Sequence, residues 1–242
     1  MATTTIEWTD KTWNPVTGCT KVSGGCKHCY AEIMARRLKG MGQVKYKNGF
    51  NLTMHEEDLI EPFSWKRPCN VFVCSMGDLF HPEVTFDFVD KVIATIKGTP
   101  QHRYQLLTKR PERLREYFFN NPIPDNVWVG TTVECRASID RIRYIQDLGA
   151  KVKFLSCEPL LEDLGELDLG GINWVIVGGE SGMMARPMKE SWVQSIKKQA
   201  EAARIAFFFK QWGTWGPDGV RRNKRANGCS IEGVIYHQYP EL

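Results

Sequence analysis

The chain has 242 residues, 42% of them hydrophobic and 25% charged, an ordinary composition with enough apolar content for a full core. Lys and Arg number 32 against 28 Asp and Glu, and the formal net charge of +4 permits a polyanionic partner without requiring one. No run approaches the roughly 20 apolar residues that span a bilayer, and the opening MATTTIEWTD lacks a basic stretch leading into an apolar one, so a cytoplasmic protein without membrane association is expected.

In chain order, the first candidate strand covers 13–16, because a cysteine-bearing loop follows it directly and a helix over 31–38 follows the loop. Residues 39–68, with their Gly, Lys and Asn, are expected to be an irregular surface insertion. Short apolar runs rich in β-branched and aromatic residues then predict strands over 71–75, 104–108, 127–131, 152–156, 174–177 and 206–209. Helical spacing falls between them, over 86–97, 112–119, 137–148 and 191–203. Strand alternates with helix at the interval a right-handed βα unit needs, which predicts an α/β fold with a parallel sheet, open or closed into a partial or full TIM-barrel-like (β/α) barrel. One domain over 1–242 is expected, and 213–242 reads as a C-terminal extension with a short closing strand near 234–237.

The functional face of such a barrel lies at the C-terminal ends of its strands. Those ends read Ser75-Met76-Gly77-Asp78, Thr108-Lys109-Arg110, Thr131-Thr132-Val133-Glu134, Ser156-Cys157-Glu158-Pro159, Gly178-Gly179-Glu180-Ser181 and Lys210-Gln211-Trp212. Any one of these polar residues can merely stop a strand or cap a helix. As a set they predict a mutually compensated polar pocket suited to a small zwitterionic ligand. Lys109, Arg110, Arg186 and Lys210, with Trp212 and Trp215, also put cations and aromatics where a phosphate and a stacked base could bind. The competing reading is that the cations neutralise Asp78, Glu134, Glu158 and Glu180 while the rings close the barrel.

The sharpest feature is Thr17-Gly18-Cys19-Thr20-Lys21-Val22-Ser23-Gly24-Gly25-Cys26-Lys27-His28-Cys29-Tyr30, three cysteines on a Gly-rich loop. Three soft ligands at this density suit a cubane iron–sulfur cluster with one iron open to a cofactor. Zinc competes, since Cys26 and Cys29 make half of a zinc site that Cys19, His28 or a distant residue could complete; no second pair of the kind exists in the sequence. Free cysteines without a metal, or a redox dithiol, are the remaining alternatives. Cys69, Cys74, Cys135 and Cys229 read as ordinary small residues. Cys157 stands beside Glu158 at a strand end, where a thiol could donate a hydrogen atom, although an ordinary buried cysteine is the simpler account.

The loop, together with Phe72-Val73-Cys74-Ser75-Met76-Gly77-Asp78-Leu79-Phe80, Leu106-Leu107-Thr108-Lys109-Arg110-Pro111, Val129-Gly130-Thr131-Thr132-Val133-Glu134, Leu155-Ser156-Cys157-Glu158-Pro159-Leu160 and Gly178-Gly179-Glu180-Ser181-Gly182, resembles the radical S-adenosylmethionine superfamily. Within it, the closer resemblance is to a phage-associated family that looks like spore photoproduct lyase. The spacing departs from the superfamily's usual Cys-x3-Cys-x2-Cys: here it is Cys-x6-Cys-x2-Cys, with His28 in place of an aromatic before the last cysteine.

The resemblance implies a [4Fe-4S] cluster on Cys19, Cys26 and Cys29 whose open iron binds S-adenosylmethionine, and one-electron cleavage to a 5′-deoxyadenosyl radical. It implies cofactor contacts from Ser75, Met76, Gly77 and Asp78, with Asp78 meeting the methionine amino group, and from Thr131, Thr132 and Glu158. Cys157, Glu158, Glu180 and Lys210 become the expected catalytic residues, and Lys109, Arg110, Arg186 and Trp212 the expected substrate contacts. A nucleic-acid or nucleotide substrate and an electron-donor protein are the expected partners. Two other functions stay open: a zinc-stabilised nucleic-acid-binding module without catalysis, and a radical enzyme acting on a small metabolite.

Overall fold

Proline has no N–H for a strand ladder, and Pro15 divides the first expected strand in two. In the computed structural model, which describes residue 4 and residues 6–241, β1 (Lys11–Trp13) enters the main sheet, whereas β2 (Val16–Thr17) pairs antiparallel with β3 (Thr53–Met54). Residues 1–3 and 5, which carry part of the N-terminal reading, and residue 242 lie outside the described residues. Asn14 fills the break, its Oδ1 accepting from the Met76 N–H at 2.9 Å and from the Ser75 hydroxyl at 3.1 Å.

The strands β4 (Asn70–Val73), β5 (Arg103–Thr108), β6 (Val127–Thr132), β7 (Val152–Cys157), β8 (Trp174–Gly178) and β9 (Ala206–Gln211) join β1 in one seven-stranded sheet ordered β1-β4-β5-β6-β7-β8-β9. The ladders β1·β4, β4·β5, β7·β8 and β8·β9 are parallel. Helices α1 (Tyr30–Gly40), α2 (Phe86–Gly98), α3 (Pro111–Phe119) and α4 (Glu190–Ala202) supply crossovers, and the chain ends in the short α5 (Lys224–Asn227) and the hairpin β10 (Ser230–Ile231) with β11 (Val234–Ile235). This is the expected α/β class, a partial parallel (β/α) barrel. Among the described residues no helix is long and apolar enough to cross a membrane.

The chain falls into two compact units. One consists of the described residues of Met1–Val22 with Cys29–Gly130 and Leu148–Lys151; the other consists of Ser23–His28, Thr131–Asp147 and the described residues of Val152–Leu242. In the first unit α2 buries Phe88, Val89, Val92, Ile93 and Ile96, a stripe at helical period, and Thr85 caps it by accepting from the Phe88 N–H at 3.3 Å. Trp13 and Tyr104 meet edge-on in the core at 5.8 Å. In the second unit every residue of β8 is buried, the pattern of a strand covered on both faces, and Trp174 packs between Phe154 at 5.7 Å and Phe208 at 6.0 Å. Each such side chain contributes roughly 1.5–3 kcal/mol of burial free energy.

Two expected elements take a different form. The helix expected over 137–148 is a 3₁₀ stretch, Arg136–Tyr144. The Ser138 hydroxyl bonds the N–H groups of Glu134 and Cys135 and the Cys135 carbonyl, and this local pairing competes with regular helix. The closing strand near 234–237 shortens to β11; His237 instead forms a bridge to Phe208 and stacks on its ring at 4.3 Å. Residues 39–68 hold 3₁₀ stretches over Val44–Tyr46 and Glu56–Ser64 as well as β3, and are well tied, with Trp13 Nε1 donating to the Asp58 carbonyl at 2.9 Å and His55 Nε2 at 2.8 Å from the Thr17 hydroxyl.

Candidate functional site

In the first unit, the turn after β4 is pressed against the start of the cysteine loop. Gly18 and Gly77 form a parallel bridge. A Cβ on Gly77 would stand 2.8 Å from the Val16 carbonyl oxygen, and one on Gly18 would stand 2.3 Å from that of Asn51, so only glycine allows this approach. Cys74 enters the turn at a left-handed φ of 59°, and burial pushes its thiol up to about 12.

Asp78 ends the turn almost fully buried, at 5% exposure. Its Oδ1 accepts from the Thr108 hydroxyl at 2.7 Å and the Phe80 N–H at 3.0 Å, and its Oδ2 from Arg110 Nη1 at 3.0 Å and the Lys109 N–H at 3.3 Å. Arg110, 4% exposed, also donates from Nη1 to Cys19 Sγ at 3.4 Å, and from Nη2 to the Thr20 carbonyl at 3.0 Å and hydroxyl at 2.9 Å. Burial opposes the guanidinium charge, but Asp78 and then Cys19 outweigh it and hold its pKa above the usual arginine value. The Glu83 N–H donates to His81 Nδ1, which leaves the ring proton on Nε2, facing the Thr20 hydroxyl at 2.9 Å. Cys29 caps α1 and packs against Ala31, Ala35, Tyr46 and Met76, and the Tyr30 hydroxyl donates to the Ser75 carbonyl.

In the second unit, Cys26 is buried with its sulfur 3.8 Å from the Ser23 hydroxyl, which donates to Glu134 Oε1. Glu134 is fully buried, and Arg141 Nη1 bonds both its Oε2 and the Thr132 carbonyl at 2.9 Å. Thr131 and Thr132 are buried beside it in sequence. Cys157 is fully buried, and burial, then Glu134, pushes its thiol up to about 12, so it keeps its proton at neutral pH.

Glu180 takes Arg186 Nε and the Arg186 N–H at 2.8 Å each and Arg186 Nη2 at 2.6 Å, with His28 Nδ1 at 3.5 Å. Burial raises its pKa, but Arg186 and His28 together bring it below the ordinary value. Glu158 accepts from Lys210 Nζ at 2.7 and 3.0 Å and from Gln211 Nε2 at 3.3 Å. Trp212 is buried, its ring against Phe209 at 4.9 Å and its N–H on the Ser230 carbonyl at 2.8 Å, where it forms wall.

Structure thus gathers Cys19, Asp78, Lys109 and Arg110 in one unit, and pairs Glu158 with Lys210 and Glu180 with Arg186 in the other. Among the described residues no three or more His, Cys, Asp or Glu side chains are grouped as a metal centre. The donor chemistry of the loop nevertheless fits an iron–sulfur cluster. Cys19, Cys26 and Cys29 are all outside disulfides, and a cationic N–H donor already faces the sulfur of Cys19. Asn14, Thr20, His81, Ser23 and Arg141 had no assigned role in the sequence. Only Asn14 carried a signal, as the residue before a proline that interrupts an apolar run.

Fold and side chains together define an α/β protein with a parallel sheet and polar, partly ion-paired strand ends. The chain belongs to the family described as protein of unknown function (DUF5131), whose model matches residues 3–240. No curated protein matches it. Similar solved structures include a double mutant of spore photoproduct lyase with bound AdoMet and dinucleoside spore photoproduct, at 12% identity and TM-score 0.45 over 78% of this chain and 60% of that one. Another is spore photoproduct lyase complexed with dinucleoside spore photoproduct, at 13% identity and TM-score 0.43, covering 77% of this chain and 59% of that one. The chain therefore spans about three fifths of the length of these proteins.

Proposed function

We propose that the chain is an iron–sulfur enzyme of the radical S-adenosylmethionine kind, acting on a nucleic-acid or nucleotide substrate. The observation that carries this reading is the loop 17–30, with three cysteines outside any disulfide between positions 19 and 29 and a buried guanidinium donating to the first of them. Cys19, Cys26 and Cys29 would hold a [4Fe-4S] cluster as thiolates. The chemistry supplied by cluster and S-adenosylmethionine when bound is one-electron cleavage of the sulfonium to a 5′-deoxyadenosyl radical.

The chain's own residues bind, orient and hold protons. Ser75, Met76 and Gly77 are the cofactor contacts of the first unit, with Asp78 behind them bonded to Arg110, and Thr131 and Thr132 are candidates in the second unit; Asn14 and Gly18 keep the turn after β4 in shape through the Met76 N–H and carbonyl. Cys157 carries a proton on sulfur at neutral pH. Glu158 and Glu180 are ion-paired with Lys210 and Arg186, so a substrate group can take the place of one partner in either pair. Lys109 in the first unit and Arg186 in the second are separate candidates for a phosphate contact. An electron-donor protein is the partner the chemistry requires.

The deciding experiment is oxygen-free purification and reconstitution with iron and sulfide, followed by counting iron and zinc and recording the electron paramagnetic resonance spectrum with and without S-adenosylmethionine. About four irons per chain and a spectrum perturbed by the cofactor are expected. Stoichiometric zinc with no cluster would overturn the reading in favour of a zinc-stabilised module.

A further inference from the structure

We infer that Arg110 is a positioning residue for the iron–sulfur centre: its guanidinium, anchored by buried Asp78, holds the Cys19 sulfur by an N–H···S bond and raises the reduction potential of the cluster. This rests on the cluster reading above and adds to it a residue that the sequence places on the substrate side.

The four N–H bonds on Nη1 and Nη2 match four acceptors: Asp78 Oδ2, Cys19 Sγ, the Thr20 carbonyl and the Thr20 hydroxyl. Asp78 cannot shift to release the guanidinium, because each of its oxygens takes two donors supplied by Phe80, Thr108, Lys109 and Arg110. Nor is Thr20 loose, since His81 Nε2 stands 2.9 Å from its hydroxyl and His81 is itself fixed by the Glu83 N–H. A side chain 4% exposed and bonded in this way offers little to a diffusing substrate, whereas its remaining acceptor is the sulfur of a ligand thiol.

Hydrogen bonds to cluster sulfurs and nearby positive charge both favour the more negative, reduced state, and they act through the ligand without touching the iron. Arg110 supplies both at one sulfur. Its buried carboxylate partner keeps the cation charged and correctly aimed, the usual way a structure orients a ligand from behind.

The test uses the reconstituted holoprotein and compares wild type, Arg110→Lys, and the double variant Arg110→Gln with Asp78→Asn, which removes both charges without leaving one buried alone. Iron content and the potential, from a redox titration followed by electron paramagnetic resonance, are the readouts. For the double variant at wild-type iron content, the reduced-to-oxidised ratio at a fixed poise is expected to fall about tenfold, equal to about 59 mV for a one-electron couple. Arg110→Lys keeps the charge but can reach fewer acceptors, and a smaller fall in the same direction is expected. An unchanged potential in a folded, iron-loaded double variant would overturn the inference. Should that variant fail to fold, an unchanged potential in Arg110→Lys would overturn it. A wild-type protein that takes up no iron would overturn the cluster reading itself, which separates the two failures.

Discussion

Asp78 in the first unit and Glu180 in the second are both buried carboxylates held by an arginine, yet they sit in different surroundings. The Asp78–Arg110 side chains are 7% and 5% exposed, whereas Arg186 beside Glu180 is 30% exposed. A pair sealed on both sides is costly to open and serves to fix its neighbours; a pair with one wet partner can trade that partner for a ligand. Lys210 with Glu158 is of the second kind, at 13% and 20%. Of these three pairs, the one in the first unit is the most rigid, and the two in the second are the more exchangeable.

The sharpest way to break this contrast is at the loop. Replacing Cys19, Cys26 or Cys29 by Ala should abolish iron binding after reconstitution, whereas Cys69→Ala and Cys229→Ala should leave it intact; equal loss in both sets, read by iron content, removes the ligand assignment. Next in size, Arg110→Gln alone strands buried Asp78 and should cost about 3–5 kcal/mol in urea unfolding. The double variant with Asp78→Asn should recover most of that loss.

The Glu180 pair should cost less and depend on pH. Because its folded pKa lies below the ordinary carboxylate value, its contribution is fully present above the unfolded value of about 4.3 and is lost as pH falls through the folded one. Arg186→Ala should remove about 1–2 kcal/mol at pH 7, and correspondingly less in strong acid. Urea midpoints at the two pH values check it, and a pH-independent loss would contradict the assignment. The smallest effect belongs to Lys210→Met, under about 1 kcal/mol in thermal melting, since Gln211 still donates to Glu158. Its consequence should instead appear in turnover.

Much of the architecture was readable along the chain. Apolar runs such as Trp174–Gly178 and stripes such as that of α2 are local patterns, and local patterns dictate strand and helix with little help from distant residues. The cysteine loop stood out for the same reason, because its three cysteines are neighbours in sequence. Where the chain's own hydroxyls compete with the backbone, as Ser138 does, helical spacing misleads and a 3₁₀ stretch results.

The pairing of side chains was not written in any local pattern. Arg110 lies 91 residues from Cys19 and 32 from Asp78, and Ser23 lies 111 from Glu134. Nothing in the run Leu-Leu-Thr-Lys-Arg-Pro tells a cation bound for substrate from one bound for a buried aspartate. Trp212 likewise reads as a stacking ring until its indole is found sealed against Phe209. By itself the sequence determined the alternation of strand and helix and the chemical identity of the loop's donors, because both depend on residues within a few positions of one another. Which charges are sealed, which remain open to exchange, and which sulfur receives a cationic hydrogen bond were decided only by the tertiary structure, because burial and hydrogen-bond partnership depend on segments that folding brings together from far apart in the chain.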